Sequence, residues 1–513
     1  MRTTNSIKNG IIAMIMYVVT ILIGFVTQKI FINILGNEYL GINSLFTNVI
    51  SMLSIAELGF GTAIIYNLYK HIAENNREEI KSLIKFYKIS YEIIALAVTI
   101  IGICIIPFIN NIVGEVNIQE SLYLIYLLFL IDTVASYLLT YKRSILYANQ
   151  KTYVINIVHI GYLIFMNLLQ MIVLYLTQNF ILYLIIKIIF RILENVIITM
   201  IANIQYPYLK DKKVENISKE TKRDIITKVK GLLFHKIGTF IVLGTDNIII
   251  SKFLGVIAVG LYSNYYMIIA AVNNLFSQVF TSITATVGNL LIENNPEKSY
   301  KIYKNMMLLN SWIFTFAGAC LLCLMEPFVK LWIGDYYVLS HIVLIVLVVN
   351  FYMQGMRKTY GVFKEAAGIF YEDRFVPIIE SLINILASVI FVRLFGLAGV
   401  FLGTITSTFI LYGYSFPKFV YKRIFKKEYK QYVKDNIKHI IPATISIVIT
   451  VLIVNKVIIS NILLQLIVNG IICVIVPNLI MLLIFYRTDE FKYYKKLVIN
   501  LIKKRKEKEI SNK

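Results

Sequence analysis

Long apolar runs separated by short polar segments recur along the whole chain. A helix needs about 20 mostly apolar residues to cross the hydrocarbon core of a bilayer, and about fourteen runs approach that length. Six lie at 11–35, 41–66, 89–109, 121–141, 153–176 and 180–203. Six follow a polar gap, at 231–253, 256–281, 305–328, 338–356, 375–395 and 396–416, and two more lie at 439–455 and 460–486. The pattern predicts an all-α polytopic membrane protein.

The composition agrees with this prediction. Of 513 residues, 58% are hydrophobic and 16% are charged, whereas soluble domains have about 45–50% and about 25%. This excess of apolar residues excludes an ordinary soluble enzyme and a disordered chain. The chain has only four cysteines, too few for a disulfide scaffold. We interpret Cys320 and Cys323, which have CxxC spacing but no second pair, as small buried hydrophobes.

The distribution of positive charge predicts the orientation. The chain has 51 Lys and Arg against 29 Asp and Glu, for a net charge of +22, and most of the cations flank alternate apolar runs. Because Lys and Arg are retained on the cytoplasmic side, the basic segments at 210–230, 418–438 and 487–513 are predicted to be cytoplasmic. The intervening connections, such as 36–40 and 177–179, are short and nearly uncharged. We therefore expect about fourteen helices with both termini in the cytoplasm. The excess of Lys and Arg is explained by membrane topology and by attraction to anionic lipid, and it does not indicate nucleic-acid binding.

Two segments of the chain resemble each other. TQKIFINILGNEYLGINSL and TDNIIISKFLGVIAVGLYSN align so that Gly36 and Gly41 match Gly255 and Gly260. Both glycine pairs lie at outer turns between helices that run in the same direction, which indicates a parallel repeat of two six-helix lobes. The alternative is that glycine is simply common in tight turns.

The repeat predicts the domain organisation. An N-terminal lobe at 1–205 is followed by a basic cytoplasmic loop at 206–230 and a second lobe at 231–417. Residues 418–513 then hold a basic loop, helices 13 and 14 and a basic tail. Rocking of one lobe against the other would give alternating access to a cleft between them.

Charged residues inside the predicted spans are the candidate functional residues, since each costs about 2.5–3.5 kcal/mol at the bilayer centre. Lys187, Arg191 and Glu194 share one face of the sixth span. We expect this face to point into the cleft. Arg191 and Glu194 are three residues apart and can neutralise each other, which would leave Lys187 for a ligand.

The positions of the other charged residues in the predicted spans do not indicate a single role for them. Lys29 and Lys236 lie near span ends, where the alternative role is snorkelling to the interface. Glu57, Asp132 and Asp246 are further intramembrane carboxylates. For each, a structural ion pair or a helix cap is the alternative to ligand binding or ion coupling.

The second and eighth spans, equivalent in the repeat, carry polar stripes at helical spacing. They comprise Ser44, Thr47, Asn48, Ser51 and Ser54 in one span and Asn273, Ser277, Thr281 and Thr284 in the other. Such stripes commonly join helices through hydrogen bonds. The alternative is a water-filled cavity whose donors solvate sugar hydroxyls.

At the runs LGNEYLGINSLFTNVISMLSIAELGFGTAIIYNLYK and GTDNIIISKFLGVIAVGLYSNYYMI, the chain resembles the bacterial polysaccharide flippases, the Wzx-like group of the MATE-like MOP superfamily. The resemblance covers nearly the whole length. It implies movement of an undecaprenyl-diphosphate-linked oligosaccharide from the inner to the outer leaflet of the bacterial cell membrane, for capsule, exopolysaccharide or O-antigen synthesis. It also implies a cationic central cavity for the diphosphate. Its candidate residues here are Lys29, Lys187, Arg191 and Lys236, while Glu57, Asp132, Glu194 and Asp246 are candidates for ion pairing or ion coupling.

Three other functions are compatible with the sequence. A lipid II flippase has the same fourteen-helix plan, and a MATE-type exporter would favour a more acidic cavity. A membrane glycan polymerase is the least favoured, since the outer connections are short and no HExxH, GxSxG or Walker A motif occurs. We therefore predict a protein that is not an enzyme. Its expected partners are a lipid-linked oligosaccharide, membrane lipid and other polysaccharide-assembly proteins, with no nucleic acid. No cofactor or metal is expected, apart from Na⁺ or H⁺ coupling.

Overall fold

The computed structural model describes the backbone of residues 2–57, 60–211, 214–369 and 372–511. Within these ranges, the side chains at 2–7, 55–56, 62–63, 228, 230–243, 285 and 501–511 are outside the description. The described residues form helices and connecting turns and contain no β-strand. The all-α prediction is therefore confirmed.

The first part of the chain forms eleven α-helices, which are α1 (Arg2–Leu35), α2 (Asn37–Leu53), α3 (Phe60–Ala73), α4 (Arg77–Ile105), α5 (Ile109–Val113), α6 (Leu122–Tyr137), α7 (Arg143–Ala148), α8 (Thr152–Thr177), α9 (Phe180–Gln205), α10 (Lys219–Leu254) and α11 (Val256–Ile292). The remainder forms α12 (Pro296–Ile333), α13 (His341–Ala366), α14 (Val376–Phe395), α15 (Leu397–Ile410), α16 (Tyr429–Val454), α17 (Ile462–Phe485) and α18 (Asp489–Ser511). Short 3₁₀ turns occur at Ser54–Glu57, Ile106–Phe108, Thr140–Lys142, Pro207–Lys210 and Asp335–Tyr337, and a π-helix at Leu411–Ile424 continues α15.

Each predicted span falls on a helix or on consecutive helical segments. Among the described residues, eleven of these segments are long and apolar enough to cross a membrane. They do not include α2 with α3, α9 or α10. Of these, α2 has only 17 residues, and α9 carries three charged residues. The protein is thus a multi-pass membrane protein, and the count of fourteen stays a prediction.

The chain divides into two compact units, Met1–Ser263 and Asn264–Lys513. In the first unit, α8 packs between α1 and α9, and α9 also packs on α6. In the second unit, α12 packs against α13, α16 and α17, and α14 packs against α15. Helix α10 contacts α2, α3 and α5 and therefore belongs to the first unit by packing. The lobes predicted at 1–205 and 231–417 rest on the repeat rather than on packing and stay predictions.

The two glycine motifs of the repeat contact each other within the first unit. Gly36 and Gly255 precede α2 and α11 with φ of 88° and 84°, a region that favours glycine. A Cβ on Gly41 would lie 2.0 Å from the carbonyl oxygen of Val256, and one on Gly260 would lie 2.4 Å from Oδ1 of Asn37. The Asn37 side chain donates a hydrogen bond of 2.9 Å to the Ile257 carbonyl. Glycine therefore allows the first turns of α2 and α11 to approach backbone to backbone.

Candidate functional site

The charged face of α9 points at α6 and α8. Asn179 caps the start of α9 by accepting a hydrogen bond from the Leu182 amide. The helix then runs through Lys187, Arg191 and Glu194, which are four and three residues apart and so share one face. This face meets α6, α7 and α8, which all pack against α9 in the first unit. The charged face of α9 therefore packs against protein.

Asp132 of α6 binds the two cations of α9. Its Oδ2 lies 3.1 Å from Nζ of Lys187, and its Oδ1 lies 3.4 Å from Nε of Arg191. Lys187 also lies over the Phe129 ring at 5.0 Å, and Arg191 lies over the Tyr162 ring at 5.2 Å. Each cation thus has a carboxylate on one side and an aromatic face on another, an arrangement that stabilises a partly desolvated charge.

Glu194 is surrounded by three basic groups. Its Oε1 lies 2.9 Å from Nδ1 of His159 on α8 and 3.2 Å from Nη2 of Arg143 on α7. Its Oε2 lies 3.8 Å from Nη1 of Arg191. Arg191 and Glu194 are neighbours, as expected, but Arg143 and His159 lie closer to the Glu194 carboxylate.

A break between α6 and α7 positions Arg143. Leu139 has φ of +66°, and the chain turns there before α7 begins. Asn195 of α9 fixes the turn, because its side-chain amide donates to the carbonyls of Ala135 and Leu138 at 3.0 and 2.9 Å. Its Oδ1 accepts a hydrogen bond of 2.7 Å from Arg143. The guanidinium is thereby held against Glu194.

Asp132, Arg143, His159, Lys187, Arg191 and Glu194 together form what we call the α9 charge cluster. Two carboxylates face three permanent cations, so the cluster carries one excess positive charge when His159 is neutral. The Glu194 and Asp132 side chains are 0% and 10% exposed, whereas those of Lys187 and Arg191 are each 24% exposed. The His159 ring is 30% exposed, so the accessible part of the cluster consists of basic side chains and includes the cations Lys187 and Arg191, while the carboxylates are covered.

The eight candidate residues from the sequence fall into different places. Lys187, Arg191, Asp132 and Glu194 come together in the cluster. Lys29 on α1 is exposed and makes no ion pair with any described residue. The side chain of Lys236 on α10 lies outside the described residues.

The two remaining carboxylates lie elsewhere. Glu57 ends the 3₁₀ turn after α2 and accepts a short hydrogen bond from the Tyr91 hydroxyl. The Tyr87 hydroxyl donates in turn to Tyr91 at 3.1 Å. Asp246 on α10 is half-buried. The structure thus joins neither Glu57 nor Asp246 to the α9 charge cluster.

Sequence reasoning missed Arg143 and His159. Arg143 follows an apolar run beside Lys142, a position that favours a cytoplasmic connection rather than a buried site. No glycine or proline marks the turn at Leu139 that returns the chain towards α9. His159 is one of several polar residues in a mainly apolar run, and its contact with Glu194 joins positions 35 apart. Neither residue carries a local signal.

The second unit holds three further cations on α13. The apolar run was expected to end at Met356, but α13 continues to Ala366 and carries Arg357, Lys358 and Lys364. Two of them are neutralised. Arg357 makes a two-point contact with Glu380 of α14 at 2.7 and 3.2 Å, and Lys364 pairs with Asp373, which also accepts from Ser415. The helix continues past the apolar run because protein carboxylates compensate these charges.

The second unit also contains an apolar cavity of about 930 Å³ between α13, the α15–π segment and α16. Its walls are mainly aliphatic and aromatic, and Tyr412, Tyr432 and Asn436 are among its few polar lining residues. The volume lies at the upper end of the range usual for small-molecule sites.

Comparison with known proteins gives the class to which this fold belongs. The chain belongs to the polysaccharide biosynthesis protein family, whose model matches residues 6–286. Its fold is similar to that of solved transporters, one of them described as a member of the MOP superfamily.

Three solved structures are similar to it. The lipid II flippase MurJ in an inward closed conformation has 16% identity and a TM-score of 0.69, over 96% of this chain and 100% of that chain. A MATE family multidrug resistance transporter in an inward-facing conformation has 15% identity and a TM-score of 0.60, over 76% and 91%. The Vibrio cholerae MATE transporter VcmN has 13% identity and a TM-score of 0.52, over 83% and 100%. No curated protein sequence matched the chain.

Proposed function

We propose that the protein is a flippase that moves an undecaprenyl-diphosphate-linked oligosaccharide from the inner to the outer leaflet of the bacterial cytoplasmic membrane. The product would supply capsule, exopolysaccharide or O-antigen synthesis. Membership of the polysaccharide biosynthesis family and the transporter fold support this class of function. The observation that carries the proposal is the cationic accessible part of the α9 charge cluster, since the substrate is an anion embedded in lipid.

Lys187 and Arg191 would bind the diphosphate. An ammonium has three N–H donors and a guanidinium has five, so each cation can contact phosphate oxygens without leaving Asp132. A pair of unit charges at 4 Å gains about 4 kcal/mol at an effective dielectric constant of 20. The excess positive charge of the cluster therefore favours an anionic headgroup. The carboxylates lower the net charge and so weaken the binding of other anions.

Alternating access between the two faces of the membrane is the proposed mechanism, with both termini in the cytoplasm. Glu57, Asp132, Glu194 and Asp246 stay candidates for Na⁺ or H⁺ coupling. In this proposal the protein performs no covalent chemistry and needs no cofactor. The apolar cavity of the second unit offers a surface for hydrocarbon during the crossing.

A lipid II flippase is the alternative that the fold favours, because the likeness to MurJ spans the whole of that chain. Lipid II also carries a diphosphate on an isoprenoid, so the α9 charge cluster suits both substrates. A MATE-type exporter of organic cations is less favoured, since the accessible side chains of the cluster are themselves cations.

Reconstitution tests the proposal directly. Purified protein in proteoliposomes receives a fluorescent undecaprenyl-diphosphate oligosaccharide, lipid II, or an organic cation, and leaflet exchange is measured with and without Na⁺ and H⁺ gradients. The expected result is exchange of the oligosaccharide lipid at least tenfold faster than in empty liposomes. Exchange of lipid II alone would replace the proposal by the alternative, and transport of the organic cation alone would contradict both.

A further inference from the structure

Lys358 lies on α13 of the second unit, towards the C-terminal end of the helix. It follows the start of the helix, His341, by seventeen positions, which is about 26 Å along the axis. The apolar core of a bilayer is about 30 Å thick. The Lys358 side chain is half-buried. An ammonium group in this position has lost part of its hydration.

The only hydrogen-bond partner of Lys358 in the described part of the chain is a hydroxyl. Nζ of Lys358 donates to Oγ of Ser277 on α11 at 2.6 Å. Ser277 in turn donates to the backbone carbonyl of Asn273 at 2.7 Å. The serine is thereby satisfied and brings no negative charge.

Lys358 therefore differs from the cations on either side of it. Arg357 pairs with Glu380, and Lys364 pairs with Asp373. No described carboxylate lies within 4.0 Å of Nζ of Lys358. The same helix thus carries two compensated charges and one charge without a counter-ion.

Such a charge is costly unless something pairs with it. Burying an ion without a partner costs several kcal/mol, and intramembrane ionisable residues are retained mainly where they serve a function. Two of the three N–H donors of Lys358 remain for a ligand. The α11 stripe that includes Asn273 and Thr281 adds polar groups beside it, so the surroundings suit a hydrated or polar headgroup rather than lipid.

We propose that Lys358, oriented by Ser277, forms an anion-binding site in the second unit for a negatively charged oxygen of the lipid-linked substrate. The inference rests on the proposed function and extends it, since it names a contact separate from the α9 charge cluster. The anionic oxygen belongs either to the diphosphate or to an acidic sugar of the glycan. Both sources offer the same chemistry to an ammonium group.

The test measures binding by the full-length protein in detergent. The probes are undecaprenyl diphosphate, undecaprenol as its neutral counterpart, and a soluble uronic-acid oligosaccharide. The variants are Lys358→Met, Lys358→Arg and Ser277→Ala. Lys85→Met is the matched control, because Lys85 is also half-buried and its ammonium also has one polar partner, the Val214 carbonyl at 2.9 Å. Size-exclusion chromatography checks the fold of each variant.

We expect Lys358→Met to raise the Kd of one anionic probe at least tenfold, since a charge-assisted hydrogen bond is lost. Lys358→Arg should retain most of the affinity, Ser277→Ala should weaken it about threefold, and Lys85→Met should match the unchanged protein. The probe whose Kd changes identifies the source of the anion. Undecaprenol binding should be equal in all proteins.

The inference would be overturned if, for each anionic probe, the unchanged protein, Lys358→Met and Ser277→Ala had the same Kd. If Lys358→Met does not fold, Ser277→Ala decides alone. Leaflet exchange by the unchanged protein separates this failure from failure of the proposed function. A protein that flips the oligosaccharide lipid but ignores both substitutions refutes only the Lys358 site.

Discussion

Glu194 is fully buried and yet ionisable, and its neighbours explain how the fold tolerates it. Nδ1 of His159 and Nη2 of Arg143 contact one carboxylate oxygen, and Arg191 lies 3.8 Å from the other. A buried carboxylate needs such partners because desolvation alone costs several kcal/mol. The pairing also fixes where the remaining cation donors point. At the residue scale, the carboxylates therefore organise the cluster and the cations are the groups left accessible.

Removing Arg143 should destabilise the fold. Arg143→Met leaves Glu194 buried with weaker compensation, and we expect a loss of about 3 kcal/mol, the lower end of the cost of breaking a buried pair. The double variant Arg143→Met with Glu194→Gln removes both charges and should recover more than half of this loss. Thermal unfolding in detergent measures the three proteins. A double variant no more stable than Arg143→Met would contradict the role of Glu194.

Removing the accessible cations should affect transport instead. Lys187→Met and Arg191→Met should each lower leaflet exchange of the oligosaccharide lipid at least tenfold, because each loses a charge-assisted contact to phosphate. Lys187→Arg keeps the charge and should retain most of the rate. Lys85→Met controls for the loss of a half-buried cation elsewhere in the first unit. Unchanged rates at normal membrane levels in both Met variants would remove the two residues from the mechanism.

Part of this site was predictable from the sequence. Lys187, Arg191 and Glu194 recur at helical spacing in one apolar run, so their common face follows from helix geometry alone. Asp132 was recognised as intramembrane, but its pairing with Lys187 joins positions 55 apart on two helices, and spacing along one helix does not predict such contacts. The same applies to Arg143 and His159, which reach Glu194 only through tertiary packing.

At the scale of helices, close packing depends on glycine, and Gly41 shows this most clearly. A side chain there would meet the Val256 carbonyl, and an equivalent contact joins Gly260 to Asn37. The two contacts are reciprocal, each linking the glycine of one repeat to the first helical residue of the other. Recurring glycine spacing in the sequence predicted the outer turns. It did not reveal that the two turns touch.

Gly41→Ala should therefore be destabilising, although alanine is the better helix former. Overpacking of a close contact costs about 1–3 kcal/mol. Gly288→Ala on α11 is the matched control, since a Cβ there meets no atom within 4 Å. The control should be neutral or gain about 0.5–1 kcal/mol. Thermal unfolding of the two variants compares them, and equal stability would show that α2 and α11 do not approach as closely as the geometry requires.

Helix α18 is held on the second unit by a contact that should depend on pH. Glu490 lies 3.1 Å from Nζ of Lys438 and 3.9 Å from Nζ of Lys304. Burial raises the pKa of Glu490, but its backbone hydrogen bond and the two lysines outweigh burial and hold the pKa below the ordinary value. The docked state gains this stability fully above about pH 5, and loses it as the pH falls through the lowered pKa.

Trp312 can report this transition because its ring stacks on Phe491 of α18 at 6.1 Å. With the second tryptophan removed by Trp332→Phe, we expect the Trp312 emission to shift as the pH falls below about 4. Glu490→Gln should show the shifted emission already at neutral pH. Emission independent of both pH and Glu490 would mean that the ion pairs do not hold α18.

Element boundaries illustrate where periodicity fails. The apolar run that forms α13 ends at Met356, yet the helix continues for ten more residues because Glu380 and Asp373 compensate its cations. Conversely, the run at 41–66 is broken after Leu53 by a 3₁₀ turn. Hydropathy locates the spans, whereas contacts with other helices, such as the ion pairs of α13, affect where a helix ends.

The whole molecule separates its charge by position. Most cations flank the spans, and this pattern predicts a cytoplasmic location for both termini. Among the described residues, the cations that are paired with carboxylates include Lys187 and Arg191 in the α9 charge cluster and Arg357 and Lys364 on α13. The fold class and the family follow from the sequence because hydropathy and glycine turns extend along the chain. The substrate-binding residues do not follow from the sequence, because contacts between distant segments determine which intramembrane charges are paired and which stay accessible.

The topology of the whole molecule depends most on α9 and α10, which are outside the eleven apolar segments. Lys187, Arg191 and Glu194 would together cost roughly 8–10 kcal/mol against lipid. In the fold each of them meets an opposite charge on α6, α7, α8 or α9 itself. A helix whose charges are met by protein can cross the bilayer in spite of its composition, so we expect α9 to span. For α10 the expectation rests on its apolar run at 231–253.

Single cysteines at Gln178, Glu215 and Asp335, in a background without the native cysteines, test this with a membrane-impermeant maleimide. Gln178 precedes α9, Glu215 lies between α9 and α10, and Asp335 follows α12. If both helices cross, Gln178→Cys and Asp335→Cys react in intact cells, and Glu215→Cys reacts only after permeabilisation. Labelling of Glu215→Cys together with Gln178→Cys would mean that α9 does not cross. If Asp335→Cys and Glu215→Cys are protected alike, α10 does not cross, because α11 and α12 alone return the chain to the same side.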